Sequence, residues 1–547
     1  MRAGLLTGEG IRATRILARV ARVARAERRH WLEGRAHCHL GRWHAARRDA
    51  GRAIRHFRKG VAALEAAREL VGPEDMHVAF LRDKLDVYAD LVQALLERGG
   101  RGDAREALEV LERSRSRLLL DMVERSVEHQ PSPVPEPLQR RIEQLRAAVS
   151  RAYHALHGLE EGSERRLGPA VGGGEDLREL EQAYRSALRE AELIGLRLES
   201  GSLRSAPPSV KQIQRSLGVD EALLAYCTAS GHIHAFVVWP SGFHMRPKLA
   251  RESDAVSAGR ALRYQIGRAG GCRDFAARHA RDLEAGAQQA LARLGALLLE
   301  PLEPWLAARR LVVVPHGVLH GLPFHAFALR GSHALDRWEI VCAPSAALWH
   351  ARAVQEPDPP PGGRPLVMAV PAPGIQSVEE EARQVGRLLP NAIRLSGGSA
   401  TLEAFRREAV QAPIVHLATH ALFRHDNPLF SGLRFADGWL LARDLYGLRM
   451  PCRLASLSAC STGAARVEPG DELFGLLRGF LAAGARTVAA SLWPADDEST
   501  TVLMTRFYTA LAAGHGPAAA MRAAQIRVRD AHPHPRHWAP FVIVGAR

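Results

Sequence analysis

Between residues 311 and 544 the sequence lays down short, almost wholly apolar runs: Leu311–Val314, Glu339–Ala343, Leu366–Val370, Ile414–Ala418, Leu454–Ala459, Thr487–Leu492 and Phe541–Val544. They are too short for buried helices and several are rich in Val, Ile and Leu. They therefore read as strands covered on both faces. Segments with apolar residues at helical spacing lie between several of them: Val378–Leu389, Thr401–Gln411, Asp471–Ala483, Glu498–Ala513 and Gly516–Arg529. A chain that alternates buried strands with amphipathic helices has few ways to cover its apolar surface. The pattern predicts an α/β domain with a mostly parallel sheet between helical layers. In such sheets ligands bind beyond the carboxyl ends of the strands.

Two of the runs end in reactive side chains. Val415-His416-Leu417-Ala418-Thr419-His420 ends in a histidine, and Leu454 to Cys460 ends in a cysteine followed by Ser461-Thr462-Gly463. If the two strands are parallel neighbours, His420 and Cys460 share one edge of the sheet. A thiol nucleophile needs that arrangement, because an adjacent imidazole lowers its pKa and later protonates the leaving amine. Backbone N–H groups at Ala421 and Cys460 are the candidates for an oxyanion hole. The bland alternative is a buried structural thiol, the commoner fate of a lone cysteine. His416 falls on the same strand and face as His420 and reads as structural.

Ahead of this region the residues are helical. Ala36, Gly41, Ala46, Ala50 and Ala53, followed by Ile54 and Phe57, describe a helix, a Gly turn and a second helix in close approach. A second unit runs from Met76 to Glu97, turns at Gly99–Asp103 and continues from Ala104 to Glu124, with Val71–Glu74 between the units. This resembles tetratricopeptide repeats, whose stacks form grooves for a peptide or partner protein. Gln130–Pro137 reads as a Pro-rich linker. Leu138–Leu156 and Asp176–Glu199 then read as an antiparallel helical hairpin, closed by Ala206-Pro207-Pro208. Leu223–Ala229 and Ile233–Trp239, joined by Ser230-Gly231, read as a β-hairpin, with a third strand at His244–Leu249. The expected organisation is multi-domain: repeats over 1–127, linker and hairpin over 128–205, and an α/β domain over 206–547. Within the last, a β-hairpin lead-in covers 206–260 and the core about 300–547.

The formal net charge of +15 invites a nucleic-acid reading. Only Lys59, Lys84, Lys211 and Lys248 among the 74 basic residues are lysines. The arginines are spread over helix faces rather than gathered into a patch with interleaved aromatics. That skew fits the codon bias of a GC-rich bacterial genome, and no specific nucleic-acid partner is expected. Arg12, Arg15, Arg19, Arg22 and Arg25 break every apolar run near the start, so a secretory leader is not expected. No segment has the length and apolarity of a membrane helix. Cys38, Cys227, Cys272, Cys342, Cys452 and Cys460 show no disulfide-framework or paired metal-ligand spacing, which fits free thiols in a cytoplasmic protein. His232 and His234 lack a third ligand nearby and read as an exposed strand face. HPHPRH (532–537) reads as a turn before the last strand. There is no phosphate-loop, HExxH or GxSxG signature. No metal or cofactor is expected.

Several separated stretches agree in order and spacing with one family: HLATHALF (416–423), NPLFSGL (427–433), LSACSTG (457–463), GDELFGLLRGFLAAGA (470–485), ASLWPADD (490–497) and HWAPFVIVG (537–545). They resemble the CHAT domain, a caspase-like module found beside tetratricopeptide repeats. VVVPHGVLHGLPFHAF (312–327) and ERSRSRLLLD (112–121) resemble what precedes that domain. The resemblance implies the caspase-hemoglobinase fold shared with separases and gingipains. It also implies a Cys–His dyad at Cys460 and His420 that works without metal or cofactor. Where the family usually has Gly after the histidine this chain has Ala421, which adds a Cβ at the mouth of the site and disfavours a positive φ. Asp497 resembles an acidic residue that receives Arg or Lys in separases. The alternative is that it caps the helix that follows, and Asp471 reads as a cap for its own helix. The function implied is a cysteine endopeptidase acting on a specific protein, with a regulator bound by the repeats. The alternative is an inactive CHAT and repeat scaffold for protein–protein interaction.

Overall fold

The protein is described from a computed structural model covering residues 8–69, 85–115, 134–157, 173–198, 207–271, 273–354, 362–371, 377–424, 428–460, 472–494 and 496–546. For Cys460 and Asp497 it describes the backbone alone. The chain divides into two compact units. The first draws on Met1–Leu118, Pro131–Glu143 and Gln182–Val210, and the second on Leu119–Gln130, Gln144–Glu181 and Lys211–Arg547.

The first unit is helical. Its elements include α1 (Gly8–Ala26), α2 (His30–Ala46), α3 (Ala50–Glu69), α4 (Leu85–Arg98) and α5 (Asp103–Ser114). α2 and α3 pack through small residues: a Cβ on Gly41 would lie 2.5 Å from the Phe57 ring, and one on Gly34 would lie 2.9 Å from Leu64. Gly41 is thus a packing residue inside α2, and no glycine makes the turn. Arg47–Asp49 does, with Arg48 at φ 60°. The turn between α4 and α5 is glycine-based as expected, with Gly99 at φ 62° and Gly102 at φ 93°, conformations that suit a residue without Cβ. The expected helix segments 76–84 and 116–124 lie outside the described residues.

Two long helices, α6 (Glu136–His157) and α7 (Gly173–Leu198), form the hairpin. Glu136 and Pro137, read as linker, already belong to α6. Proline is tolerated in a first turn because its missing N–H would have no helical partner there. Residues 144–181 group with the second unit. Tyr153 is fully buried and donates to Glu181 at 2.8 Å, while Arg424 donates to both at 2.6 and 2.8 Å. The Ser150 hydroxyl accepts the Trp439 N–H at 3.0 Å.

The second unit is built on a sheet of thirteen strands among the described residues. They are β1 (Glu221–Ala229), β2 (His232–Trp239), β3 (Gly242–Arg251), β4 (Arg310–Val314), β5 (Glu339–Cys342), β6 (Leu366–Ala369) and β7 (Ile393–Ser396), then β8 (Ile414–Leu422), β9 (Gly432–Phe435), β10 (Gly438–Leu441), β11 (Leu454–Cys460), β12 (Thr487–Ser491) and β13 (Phe541–Gly545). The order is β10-β9-β8-β11-β12-β13-β5-β4-β1-β2-β3, with β6 also paired to β8 and β7 to β6. Pairings through the centre are mostly parallel, as the alternating pattern predicts. β1–β3 extend this same sheet, because β1 pairs in parallel with β4. Ser230 at φ 50° and Gly231 at φ 73° make the tight turn between β1 and β2.

Helices cover both faces of the sheet. α8 (Glu252–Ala269), α9 (Ala280–Leu298), α10 (Ser377–Leu388), α13 (Asp497–Ala512) and α14 (Pro517–Ala531) contribute to one core. α11 (Leu402–Ala409) and α12 (Glu472–Ala482) contribute to the other. The structure therefore has a helical region followed by an α/β domain with a mostly parallel central sheet.

Candidate active site

β8 and β11 run parallel and in register from Ile414 opposite Leu454 to His420 opposite Cys460. The two residues singled out from sequence occupy paired positions on neighbouring strands, at the carboxyl end where a parallel sheet offers its binding edge. His420 is buried, 4% exposed. The strand does not stop there: Ala421 and Leu422 continue it, paired antiparallel with Leu433 and Gly432 of β9. The sequence pattern ended this strand at His420. The return of β9 supplies a partner that keeps the backbone extended. Ala421 is absent from the positive-φ residues, and its Cβ packs into the core beneath the opposite face. The strain expected from replacing glycine does not arise at this position.

Below the pair, β8 and β11 present polar groups on one face. His416 is fully buried, with Tyr508 Oη 3.2 Å from its Nδ1 and Glu381 Oε1 3.3 Å from its Nε2. The second separation is an ion-pair distance without good hydrogen-bond alignment. Ser458 donates to Glu381 Oε2 at 3.0 Å, and Ser456 lies 3.8 Å from Met504 Sδ. Burial pushes the Tyr508 phenol well above its ordinary pKa, so it remains a donor. His416 is thus part of a buried network, in keeping with a structural reading of it.

Sequence reading missed Glu381 and Tyr508. The signal for Glu381 was present: Val378, Glu381, Ala382 and Val385 recur at helical spacing and are all buried, which sets one carboxylate inside an apolar stripe. Nothing comparable marks Tyr508.

The helix after β12 is capped by Asp496, whose carboxylate accepts the Ser499 N–H at 3.2 Å. Asp497, suggested as an alternative cap, is instead the first helical residue, one position too late for that role. Its side chain lies outside the description, as does all of Asp471. His234 is not on an exposed face. It is 7% exposed and accepts the Lys248 N–H at 3.4 Å, because the register shift between β2 and β3 turns that amide toward it. In HPHPRH, His534 accepts the Arg536 N–H and starts the single helical turn Pro535–Trp538. Among the described residues no group of His, Cys, Asp and Glu is arranged to hold a metal ion.

Four described cysteines are free thiols: Cys38, Cys227, Cys342 and Cys452. Burial pushes Cys342 and Cys452 up to about 12, where the thiolate is scarce and nucleophilicity is lost. No helix among the described residues is long and apolar enough to cross a membrane.

Residues 288–546 match the family model of the CHAT domain. Tetratricopeptide repeat protein 28 of Mus musculus and its Homo sapiens counterpart are each 27% identical to this chain, over 46% of its length. The match spans 13% of the length of those relatives. Solved structures that align with the chain include the Saccharomyces cerevisiae separase–securin complex, at 12% identity and a TM-score of 0.45, covering 99% of this chain and 47% of that one. The Arg-specific cysteine proteinase gingipain R aligns at 9% identity and a TM-score of 0.32, covering 48% and 67%. The CHAT match, residues 288–546, takes in both β8 and β11 and so the His420–Cys460 pair described above.

Proposed function

We propose that this chain is a cysteine endopeptidase in which His420 and Cys460 act as a dyad. The observation that carries the reading is their residue-against-residue pairing on adjacent parallel strands within a CHAT domain. His420 takes the proton of the Cys460 thiol, and the thiolate attacks the scissile carbonyl. The backbone N–H groups of Ala421 and Cys460 hold the oxyanion as it forms. The imidazolium then gives its proton to the leaving amine, and water releases the acyl group from sulfur. The cycle draws on no metal or cofactor. Asp496 is committed to its helix cap, which directs recognition of an Arg or Lys before the scissile bond to Asp497. The peptidase module takes in residues 206–547, whose first three strands share its sheet. In a cytoplasmic setting the tetratricopeptide-like helices bind a protein substrate or regulator, and that binding governs cleavage.

The test is cleavage of a mixed peptide library, and of the protein itself, by wild type and Cys460→Ala, each with and without cell lysate as a source of activator. The expected result is cleavage after Arg or Lys that falls at least about a thousandfold in Cys460→Ala. Cleavage that survives in Cys460→Ala, or none by wild type in either condition, overturns the reading in favour of a scaffold.

A further inference from the structure

The buried polar groups beneath His420 and Cys460 touch both strands that carry the pair. Among the described residues, the Glu381 carboxylate meets Ser458 Oγ at 3.0 Å through one oxygen and His416 Nε2 at 3.3 Å through the other. Ser458 stands on β11 two residues before Cys460, and His416 stands on β8 four residues before His420. One carboxylate therefore bridges the two strands just below their paired ends. At about 3.3 Å of rise per strand residue, Ser458 is about 7 Å from Cys460 along β11.

Tyr508 fixes the orientation of this bridge. Its hydroxyl lies 3.2 Å from His416 Nδ1, so the imidazole is held between the phenol and the Glu381 carboxylate. The opposite face of the same strands is filled largely by Val415, Leu417, Ala455 and Leu457. A carboxylate that is 3% exposed among apolar helices is costly to keep and needs a reason beyond cohesion.

We propose that Glu381 is a positioning residue for the His420–Cys460 pair, its carboxylate tying β8 to β11 so that imidazole and thiol keep a reactive separation. The inference rests on the peptidase reading. Reacting groups must be held to about half an ångström, and a brace one strand-pair below the site supplies that constraint. Loosening it weakens the support that His420 gives the thiolate, so the pH at which Cys460 becomes reactive rises. The sign is diagnostic. The negative charge of Glu381 by itself opposes a thiolate, so if charge alone mattered, removing it would lower that pH.

The experiment is alkylation of the full-length chain by iodoacetamide from pH 5 to 9.5, with the rate at Cys460 read by peptide mapping. Wild type, Glu381→Gln, Ser458→Ala and His420→Ala are compared, each checked for native near-ultraviolet circular dichroism. Wild type is expected to show a midpoint below the ordinary thiol value of about 8.5, and His420→Ala a return toward it. Glu381→Gln is expected to raise the midpoint by at least about half a unit, a threefold loss of thiolate below it. Ser458→Ala keeps the carboxylate but cuts its tie to β11, and is expected to raise the midpoint too. It decides the matter if Glu381→Gln fails to fold. An unchanged or lowered midpoint in the deciding variant, with His420→Ala still effective, overturns the positioning role and leaves the dyad intact. If His420→Ala leaves the midpoint where it was, the dyad falls and the positioning role falls with it.

Discussion

In the helical unit Arg58 and Glu106 meet in a two-point ion pair at 2.6 Å while both remain partly in water. In the α/β unit Glu381, His416 and Ser458 meet with almost none of their surface exposed. The two regions treat polar groups differently because they pack differently. Helices that stack through small residues, as Gly41 does against Phe57, draw cohesion from close apolar contact and leave charge at the rim. A sheet whose inner faces are closed off from water can hold polar groups only through directional contacts, which are costly to bury. A buried polar network is fragile when one member is lost, and a rim pair is not.

Four substitutions test that contrast, beginning with the largest expected effect. Glu381→Ala leaves the Ser458 hydroxyl and the His416 Nε2 without their partner in a buried setting. At about 1–3 kcal/mol for each stranded group, it should lower unfolding stability by about 3 kcal/mol. Urea titration would measure this, and a loss below about 1 kcal/mol would erase the distinction from a rim pair.

Histidines buried in the α/β unit should make it sensitive to acid. Desolvation lowers His325 to about 4, against an ordinary 6.5. Between those values the unfolded chain binds the proton and the folded one does not, so stability is full above pH 6.5 and falls as the pH drops toward 4. The shift corresponds to about 3 kcal/mol at its limit. Urea midpoints from pH 7 to 4.5 should fall with acid, and the slope should flatten in His325→Gln. An unaltered slope would remove His325 from the account.

Gly41→Ala tests the helical unit. The added methyl would meet the Phe57 ring, an overpacking cost of about 1–3 kcal/mol, offset by up to about 1 kcal/mol of helix propensity. Faster hydrogen exchange across residues 30–69, partly reversed by adding Phe57→Leu, is the expected outcome. Exchange as slow as in wild type would mean that α2 and α3 do not depend on this contact. Arg58→Ala should do least, less than about 1 kcal/mol, and its effect should shrink further in high salt. A loss as large as that from Glu381→Ala would break the comparison outright.

Much of this was legible before folding. The run from Leu454 to Cys460 and the alternation around it give the strands, and helical spacing gives α10, α13 and α14 to within two residues. His420 and Cys460 stand out because strands deliver them to a common edge. The misreadings have a common origin. The strand was ended at His420, short of Ala421 and Leu422, because β9, which pairs with them, comes from residues that carry no local sign of returning. His234 was read as exposed because the register shift that brings Lys248 against it is a property of two strands, not one. Glu381 was overlooked because a single carboxylate in a run of three glutamates is ordinary until its helix has a neighbour.

The sequence by itself determined the order of strands and helices, the parallel character of the central sheet, the small-residue packing of the first helices and the two residues worth watching. These follow from periods of 2 and 3.6 and from side-chain size, which act within a few residues. Only the tertiary structure decided that β8 lies beside β11, that His420 falls opposite Cys460 rather than one residue away, and that Glu381 reaches both strands. A period of two tells which face a residue takes but not which strand lies next to it. That choice depends on how whole layers pack, and no local pattern contains it.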